Sequence, residues 1–485
     1  MISRRARTAG PTSRASSVPA GSSALRLPAV GFVVLYVVLL LCVPSQLIFR
    51  PLGAPGTPAN MVGICALAWW VAATVGGTNP VKRFTPTRIT VALLTAAVLG
   101  SYASGMLQGW YAPPDIRQVT DEFWTLVPPT VTQTTDAMVS AADRGLLSFA
   151  GWMGIVLMTA EGLRSWADLE KVVDWLVWVG AFVGAIGILQ FATGLNIAVF
   201  FDLPGLSANS DFGAVDSRSI LNRVSATAVH PIEYGVVLGG ILPLAVHRMI
   251  RLRCRPLAVL PAVVIFVGCN MSVSRSAVLV IGFAFTMLLI GWPAKWRVRA
   301  LLLLPVAVVG LRMAVPGLVG TLISLFRNLF DDPSISGRTS DYDVLFDVIG
   351  DNPLLGRGLF TFVPRYYRIV DNQYLIFTVE LGLIGLLVAT TFLVVAFLQA
   401  NAARRRAFEP ASRDLSLAIA ASTLGVMVSF ATFDALGFPM AAGMMMLLVG
   451  LAGACWRLST TEDPRSPYRP HDHRRAPARP EELVR

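Results

Sequence analysis

Charged side chains are scarce in this chain of 485 residues. They make up 14% of the sequence, against about 25% in an average soluble domain. Hydrophobic residues account for 54%, and their runs lack the strict alternation of membrane β-barrel strands. The scarcity of charge excludes an ordinary soluble domain and indicates an integral membrane protein.

Nucleotide-binding and metal-binding patterns are also absent. Neither GxxxxGK[ST] nor a Rossmann glycine pattern occurs, which argues against ATP-driven transport. The five cysteines have no metal-ligand spacing, so we predict no metal site and no structural disulfide. His471 and His473 fall in a polar tail, where solvated side chains are the simpler interpretation. We therefore predict no cofactor.

The apolar runs are about 17 to 25 residues long, enough for α-helices to cross a hydrocarbon core of roughly 30 Å. We predict an all-α, polytopic membrane protein with about twelve transmembrane helices and a large outer loop that carries a short surface helix. The predicted spans are 28–49, 60–76, 89–108, 144–162, 172–193, 230–250, 256–272, 274–292, 300–320, 373–398, 414–434 and 437–456.

The basic residues predict the orientation of these spans. They concentrate in even-numbered connections, as Arg248, Arg251 and Arg297 illustrate, and cytoplasmic loops retain such residues. We therefore predict a multi-pass protein of the cell membrane with both termini cytoplasmic. Topology accounts for most of the net charge of +11, so we expect membrane lipids and no nucleic acid as partners. The first run is interpreted as a retained signal anchor.

Three regions follow from this organisation. Residues 1–27 and 457–485 are predicted to be disordered cytoplasmic tails, because they lack apolar periodicity. Residues 28–456 form the membrane domain, whose long outer loops are predicted near 109–143, 194–229 and 321–372. A chain that places its longest connections on one side is expected to work on that side.

The third long loop contains several recognisable signals. Ser340 and Asp343 resemble a capping box, and Pro353 follows, so the spacing predicts a short surface helix. The turn Asn352–Gly358 supplies two glycines for close backbone approach. Arg357, between those glycines, is either an anion ligand or a solvated turn residue.

Aromatic and basic residues follow in the same loop. Arg365, Tyr367 and Arg368 are expected at headgroup depth. They form either an interfacial anchor or a site where arginines contact phosphate and tyrosine stacks on a sugar ring.

Ionisable residues at helix starts are the candidate catalysts. Asp371 and Asn372 can each cap the tenth span, and Asp371 is also a candidate general base for a hydroxyl acceptor. Glu380 lies within the membrane, where such a residue is functional by default or hydrogen-bonds a neighbouring helix. His230 precedes Pro231 at a helix start, where a histidine is more often structural than catalytic.

Arginines are the candidate ligands for an anion. Arg223 and Arg275 fall at the outer ends of predicted spans, and Arg338 lies in the third loop. Several arginines around one outer cavity would neutralise a diphosphate.

Four segments carry a resemblance to a known family: RVSATAVHPIEYG, SVSRSA, GRTSDYDVLFDVIGDNPLLGRG and DNQYLIFTVELGLIG. In this order, and separated by these spans, they resemble the O-antigen ligase and O-antigen polymerase superfamily of bacterial polysaccharide biosynthesis. The resemblance covers about residues 60–455. It implies a membrane-embedded, metal-independent glycosyltransferase that moves a glycan from an undecaprenyl-diphosphate carrier to the hydroxyl of an acceptor glycan, lipid or protein.

The resemblance also implies residue roles. Arg223 and Arg275 match family arginines thought to bind diphosphate, whereas Asp371 stands where ligases commonly carry a catalytic histidine. This departure leaves Asp371, His230 and Glu380 as alternative bases, and leaves polymerase and ligase as alternative activities. A polysaccharide or lipid-carrier transporter without chemistry is the alternative class, although no internal repeat typical of transporters is evident.

Overall fold

The computed structural model describes residues 29–79, 81, 84–108, 131–209, 216–218, 221–327, 345–346, 348–364 and 369–462. Helices dominate this part of the chain, as predicted, and each predicted span overlaps at least one of them. The α-helices are α1 (Ala29–Cys42), α2 (Pro58–Val75), α3 (Pro86–Leu107), α4 (Val131–Gly162), α5 (Trp166–Thr193), α6 (Pro231–Arg251), α7 (Pro256–Asn270), α8 (Arg275–Gly291), α9 (Ala294–Ala314), α10 (Leu318–Arg327), α11 (Gln373–Arg406), α12 (Pro410–Ser429) and α13 (Pro439–Glu462).

Two short antiparallel ladders were not predicted. β1 (Leu47–Ile48) pairs with β2 (Ser207–Ala208), and β3 (Asp216–Arg218) pairs with β4 (Leu221–Arg223). The first ladder joins the connection after α1 to the connection after α5. Short 3₁₀ helices occupy Arg50–Leu52, Ala54–Gly56, Ile197–Phe200 and Phe430–Thr432.

Seven of the described helices are long and apolar enough to cross a membrane, namely α2, α3, α4, α5, α11, α12 and α13. The bent pair α9 and α10 raises this number to eight if the two form one span. Helices α1, α7 and α8 are apolar but shorter. The chain is therefore a polytopic membrane protein, and the count of twelve spans stays a prediction.

Two predicted boundaries were wrong. Helix α4 begins at Val131, so residues 131–143 are helical although we assigned them to an outer loop. The apolar run begins later than the helix, and a hydropathy criterion misses such a polar extension. The ninth span is also not one helix, because α9 and α10 meet at 110°. Gly317, between them, has a φ of 88° that interrupts a helix.

The predicted surface helix falls partly outside the described residues, which exclude Ser340 and Asp343. Residues 345–346 and 348–351 are helical. Leu345 is buried in a small apolar cluster with Met138 of α4 and Ile376 of α11. This part of the loop therefore packs on the helix bundle.

Helix α13 lies at the centre of the bundle. Of its apolar window 89% is buried, against 22% for α2 at the periphery, and α13 packs against α4, α11 and α12. Glycines allow these close contacts: a Cβ at Gly450 would lie 2.6 Å from the Thr159 Cβ, and one at Gly443 would lie 2.5 Å from a Leu40 methyl group. Small residues at helix interfaces are typical of membrane proteins, because they let backbones approach.

Candidate functional site

The structure brings Arg223 and Arg275 to the same turn, between α7 and α8. Arg223 ends β4 and is buried, and its Nε donates a hydrogen bond to the Ser272 carbonyl at 3.4 Å. Arg275 is the half-buried first residue of α8, three positions after Ser272. Two arginines from distant parts of the sequence therefore converge, as the diphosphate hypothesis requires.

The backbone beside both arginines is strained. Val273 has a φ of 46° and Ala226 a φ of 49°, and this left-handed region costs of order 1–3 kcal/mol for a residue with a side chain. Neighbouring hydrogen bonds hold the two segments: the Ser272 hydroxyl donates to the Cys269 carbonyl at 2.7 Å, and the Ala226 amide donates to Gln190 Oε1 at 2.8 Å. Such strain concentrates at functional sites, which supports a role for this turn.

His230 occupies a structural position. It is the N-cap of α6, where its Nδ1 accepts a hydrogen bond from the Ile232 amide at 3.1 Å, and its ring packs 5.9 Å from that of Phe438. This geometry agrees with the structural interpretation of His230.

Glu233, three residues later, is a positioning residue that we had not selected from the sequence. It is fully buried, and its carboxylate accepts hydrogen bonds from the amides of Val229, Met440 and Ala441 and from the Ser45 hydroxyl. It thereby ties the start of α6 to the start of α13. A carboxylate at the third position of a helix was the available sequence signal.

The turn Asn352–Gly358 packs against a break in α11. Gly382 has a φ of 69°, which interrupts the helix, and the turn supplies hydrogen bonds at the break: the Leu383 amide donates to the Pro353 carbonyl at 2.8 Å. A Cβ at Gly356 would lie 2.5 Å from the Glu380 backbone. The predicted close approach at this turn is confirmed, whereas the break was not predicted. Broken helices in membranes persist where other groups satisfy the backbone.

Glu380 sits at this break and is buried. Its carbonyl accepts hydrogen bonds from the Arg357 amide at 2.9 Å and the Gly358 amide at 2.8 Å, and its Oε1 accepts one from the Phe362 amide at 3.2 Å. The Ser101 hydroxyl of α3 donates a hydrogen bond to the same carbonyl at 2.6 Å. The buried Arg357 guanidinium lies within electrostatic range of the Glu380 carboxylate. Glu380 therefore holds the loop through its backbone and its side chain.

Asn372, and not Asp371, is the residue that caps α11. Asn372 is the N-cap of α11, and its side chain accepts hydrogen bonds from the amides of Tyr374 and Leu375. Asp371 is half-buried and lies within electrostatic range of Asp434. Capping therefore falls to Asn372, and the role of Asp371 as a general base stays a prediction.

Asp434 is the site residue that sequence reasoning missed. It lies in the connection between α12 and α13, outside both helices, where we had assigned only residues 435–436. Burial and, to a smaller extent, the charge of Asp371 raise the pKa of its carboxyl from 3.8 to about 6, while a hydrogen bond from the Gly437 amide opposes them. A carboxyl that gains a proton near neutral pH suits proton transfer.

Two hydrogen bonds hold the residues that flank this carboxylate pair against neighbouring elements. The Ser276 hydroxyl, one residue after Arg275, lies 2.7 Å from the Thr432 hydroxyl, so the start of α8 contacts the 3₁₀ helix that follows α12. Gln373 Oε1 accepts from the Leu436 amide at 2.7 Å, which fixes the Asp434 connection against the start of α11. The arginine turn and the carboxylate pair therefore adjoin.

A cavity of about 300 Å³ opens beside this connection. Its lining comes from α1, α2, α4, the loop at Phe360 and the connection at Leu436 and Gly437. All of these belong to the end of the molecule that the charge pattern predicts to face outward.

Four of the predicted binding residues, Arg338, Arg365, Tyr367 and Arg368, lie outside the described residues. Among the residues that the structure does describe, no group of three or more His, Cys, Asp or Glu side chains is arranged to hold a metal ion.

The family model described as O-antigen ligase matches residues 260–390. That segment runs from α7 through the first half of α11, and it includes Arg275, Arg357, Asp371 and Glu380. A comparison with curated proteins finds no match. The predicted resemblance is thus confirmed: over residues 260–390 the chain is similar to the O-antigen ligases, membrane proteins of polysaccharide biosynthesis.

Proposed function

We propose that this protein transfers a glycan from a polyprenyl-diphosphate carrier to the hydroxyl of an acceptor glycan, lipid or protein. The reaction takes place at the outer face of the cytoplasmic membrane, and it serves a ligase and a polymerase alike. One observation carries the proposal: two arginines converge on a strained turn that adjoins a pair of carboxylates. This set meets the two needs of the reaction, charge neutralisation for a diphosphate and a base for a hydroxyl.

The arginines act on the leaving group. Glycosyl transfer breaks the bond between the anomeric carbon and the diphosphate oxygen, so negative charge develops on that oxygen. Guanidinium groups bind phosphate oxygens in a bidentate manner and cannot be deprotonated. Arg223 and Arg275 fill this role, with Arg357 as a further cation, and the mechanism therefore requires no metal ion.

The carboxylates act on the acceptor. The acceptor oxygen forms the new bond to the anomeric carbon in a single displacement, and its proton passes to the Asp371–Asp434 pair. Asp434 is the proton acceptor in this scheme, since burial and the neighbouring charge of Asp371 raise its pKa. In this scheme His230 and Glu380 have structural roles, because the side chain of each accepts a hydrogen bond from a main-chain amide.

The topology in this proposal has twelve spans and two cytoplasmic termini. The basic residues at the end of α6 and the start of α9 lie inside, and the arginine turn, the carboxylates and the cavity lie outside. A cysteine introduced at position 360 tests this orientation by labelling of intact cells. Labelling from inside only would overturn the orientation and the site together.

Reconstitution tests the reaction. Purified protein in liposomes receives a fluorescent polyprenyl-diphosphate oligosaccharide and candidate acceptors, and product formation is compared for wild type, Arg223→Ala, Arg275→Ala and Asp371→Ala. We expect transfer by wild type and its loss in each variant. Arg299→Ala is the matched control, because Arg299 is exposed at the opposite end of the bundle. Movement of the labelled carrier without transfer would instead favour the transporter.

A further inference from the structure

The cavity beside Asp434 is lined by residues from other elements than the arginine turn. It is lined by aromatic and polar side chains from α1, α2, α4 and the loop, including Tyr36, Asn60, Arg144, Ser148, Trp152 and Phe360. None of its lining residues comes from the α7–α8 turn that carries the arginines. Its volume of about 300 Å³ falls at the lower end of the range for small-molecule sites, roughly 300–1,000 Å³.

Aromatic rings form one wall of this cavity. The rings of Trp152 and Phe360 lie 5.9 Å apart and tilted by 54°, and Phe360 is held at a φ of 64°. An aromatic residue in the left-handed region is a genuine outlier that the surrounding structure must hold in place. Asn60 and Ser148 also line the cavity and add polar groups to it. Aromatic faces combined with a few polar groups suit a sugar ring, which has apolar faces and hydroxyl edges.

Arg144 contributes a cation at the cavity. It is exposed, and no described side chain forms an ion pair or hydrogen bond with its guanidinium. Its side chain lies over Gly53, where a Cβ would come within 2.9 Å of Arg144 Nε. Gly53 has a φ of 69°, so both its backbone conformation and its contact with Arg144 disfavour a side chain at that position. The backbone of the connection after α1 therefore makes room for the guanidinium, which is available to a bound anion.

Two residues that line the cavity connect it to the candidate site. Gly437 lines the cavity, and its amide donates a hydrogen bond to Asp434 Oδ1 at 3.2 Å. Phe360 also lines the cavity, two residues before the amide that binds Glu380 Oε1. A molecule in the cavity is therefore next to the connection that carries Asp434, and Thr432, two residues before Asp434, contacts Ser276 of α8.

We propose that this cavity binds the terminal sugar of the acceptor, and that Arg144 selects acceptor sugars that carry a carboxylate. This inference rests on the proposed function, because it assigns the second substrate of that reaction. The donor diphosphate occupies the arginine turn, the acceptor occupies the cavity, and Asp434 lies between them. Trp152 and Phe360 stack on the sugar, and Arg144 forms a charge-assisted hydrogen bond with its carboxylate.

A binding measurement without carrier tests the inference independently of transfer. Protein in nanodiscs is titrated with methyl β-glucuronide and with methyl β-glucoside, followed by saturation-transfer NMR. These probes differ only in the carboxylate. We expect the wild type to bind the glucuronide about tenfold more tightly, as one hydrogen bond between charged groups implies. Arg144→Gln should remove this preference, and Trp152→Ala should weaken both probes, while the exposed Arg299→Gln leaves both unchanged.

Equal binding of the two probes by wild type would overturn the inference, and so would a preference that survives in Arg144→Gln or an absence of binding by either probe. A parallel transfer assay separates this result from the proposed function. Binding with the expected preference but without transfer would reject the transferase and keep the sugar site. Transfer by a protein whose acceptor KM is unaffected by Arg144→Gln would reject the sugar site and keep the transferase.

Discussion

The two ends of the helix bundle handle charge in opposite ways. At the end predicted to face the cytoplasm, opposite charges pair: Arg88 binds both oxygens of the buried Glu161 at 2.5 and 2.7 Å. At the outer end, the like charges of Asp371 and Asp434 lie within electrostatic range of each other. Pairing stabilises a fold, whereas like charges in proximity oppose folding and perturb proton affinity, as catalytic sites require.

Further hydrogen bonds hold the charged residues of the inner end. Glu161 accepts further bonds from Trp70 Nε1 and Asn79 Nδ2. His247 lies between Glu170 and Asp414, at 3.2 and 2.8 Å. The outer end instead combines strained backbone, an opening of about 300 Å³ and arginines on a turn. The inner charges therefore stabilise the bundle, whereas a role for the outer charges in activity belongs to the proposed function.

The largest effect is expected from Glu161→Gln, which leaves the Arg88 charge uncompensated in the bundle. Removing one partner of a buried ion pair costs about 3–5 kcal/mol. We expect that loss in the free energy of unfolding of detergent-solubilised protein, with unchanged transfer per folded molecule. Glu409→Gln is the control, since Glu409 is exposed. Wild-type stability of Glu161→Gln would contradict the structural assignment of the inner end.

The converse variant is Arg275→Ala at the outer end. Loss of one group that stabilises transition-state charge lowers a rate by about 10²–10³, so we expect that decrease in kcat with a melting temperature close to wild type. Arg275→Lys should recover part of the rate, because lysine keeps the charge and loses the bidentate geometry. Equal transfer by Arg275→Ala and Arg299→Ala would remove Arg275 from the site.

A smaller effect is expected from Gly356→Ala, which tests the contact between the loop and the α11 break. Gly356 has a φ of 65°, and a Cβ there would lie 2.5 Å from the Glu380 backbone. The conformational strain alone costs about 1–3 kcal/mol, so we expect lower stability and lower activity together. Gly282→Ala is the matched control, because a Cβ at Gly282 meets no atom within 4 Å. If both variants behave like wild type, the loop does not pack closely on α11.

The smallest effect is expected in the pH dependence of transfer. The pKa of Asp434 is about 6, and a base acts in its deprotonated form, so kcat should rise with pH and level off above about 6. Asp371→Asn removes a charge that raises this pKa, and the acidic limb of its remaining activity should move to lower pH. Asp202→Asn, at an exposed position, should leave the profile unchanged. An unshifted acidic limb in Asp371→Asn would show that the charge of Asp371 does not affect the pKa of the base.

Helices were the predictable part of the fold. Apolar runs located all the regions that become helical spans or candidate spans, because a chain in lipid must satisfy its backbone internally. The start of α4 at Val131 was missed, because residues 131–143 extend the helix beyond its apolar run. The break at Gly382 was missed for the opposite reason. An apolar run surrounds it, and the Leu383 and Ile384 amides donate to the carbonyls of Pro353 and Leu354, each 30 residues earlier in the chain.

The site was predictable in its residue types and only partly in its members. Arg223, Arg275 and Asp371 stood out as ionisable residues at the ends of spans. Asp434 did not, because the predicted span ran over it, and its altered proton affinity comes from burial and from Asp371. Arg144 was missed as well, because its significance depends on the cavity that surrounds it.

The sequence by itself determined that this is a helical membrane protein with candidate polar residues between its apolar runs, since hydropathy acts locally along the chain. It also carried the similarity to O-antigen ligases. Only the tertiary structure decided which of those residues meet. Helix packing joins Arg223 to the α7–α8 turn, Asp371 to Asp434 and the turn at Gly356 to the break at Gly382, and each contact depends on distances between segments that are remote in sequence.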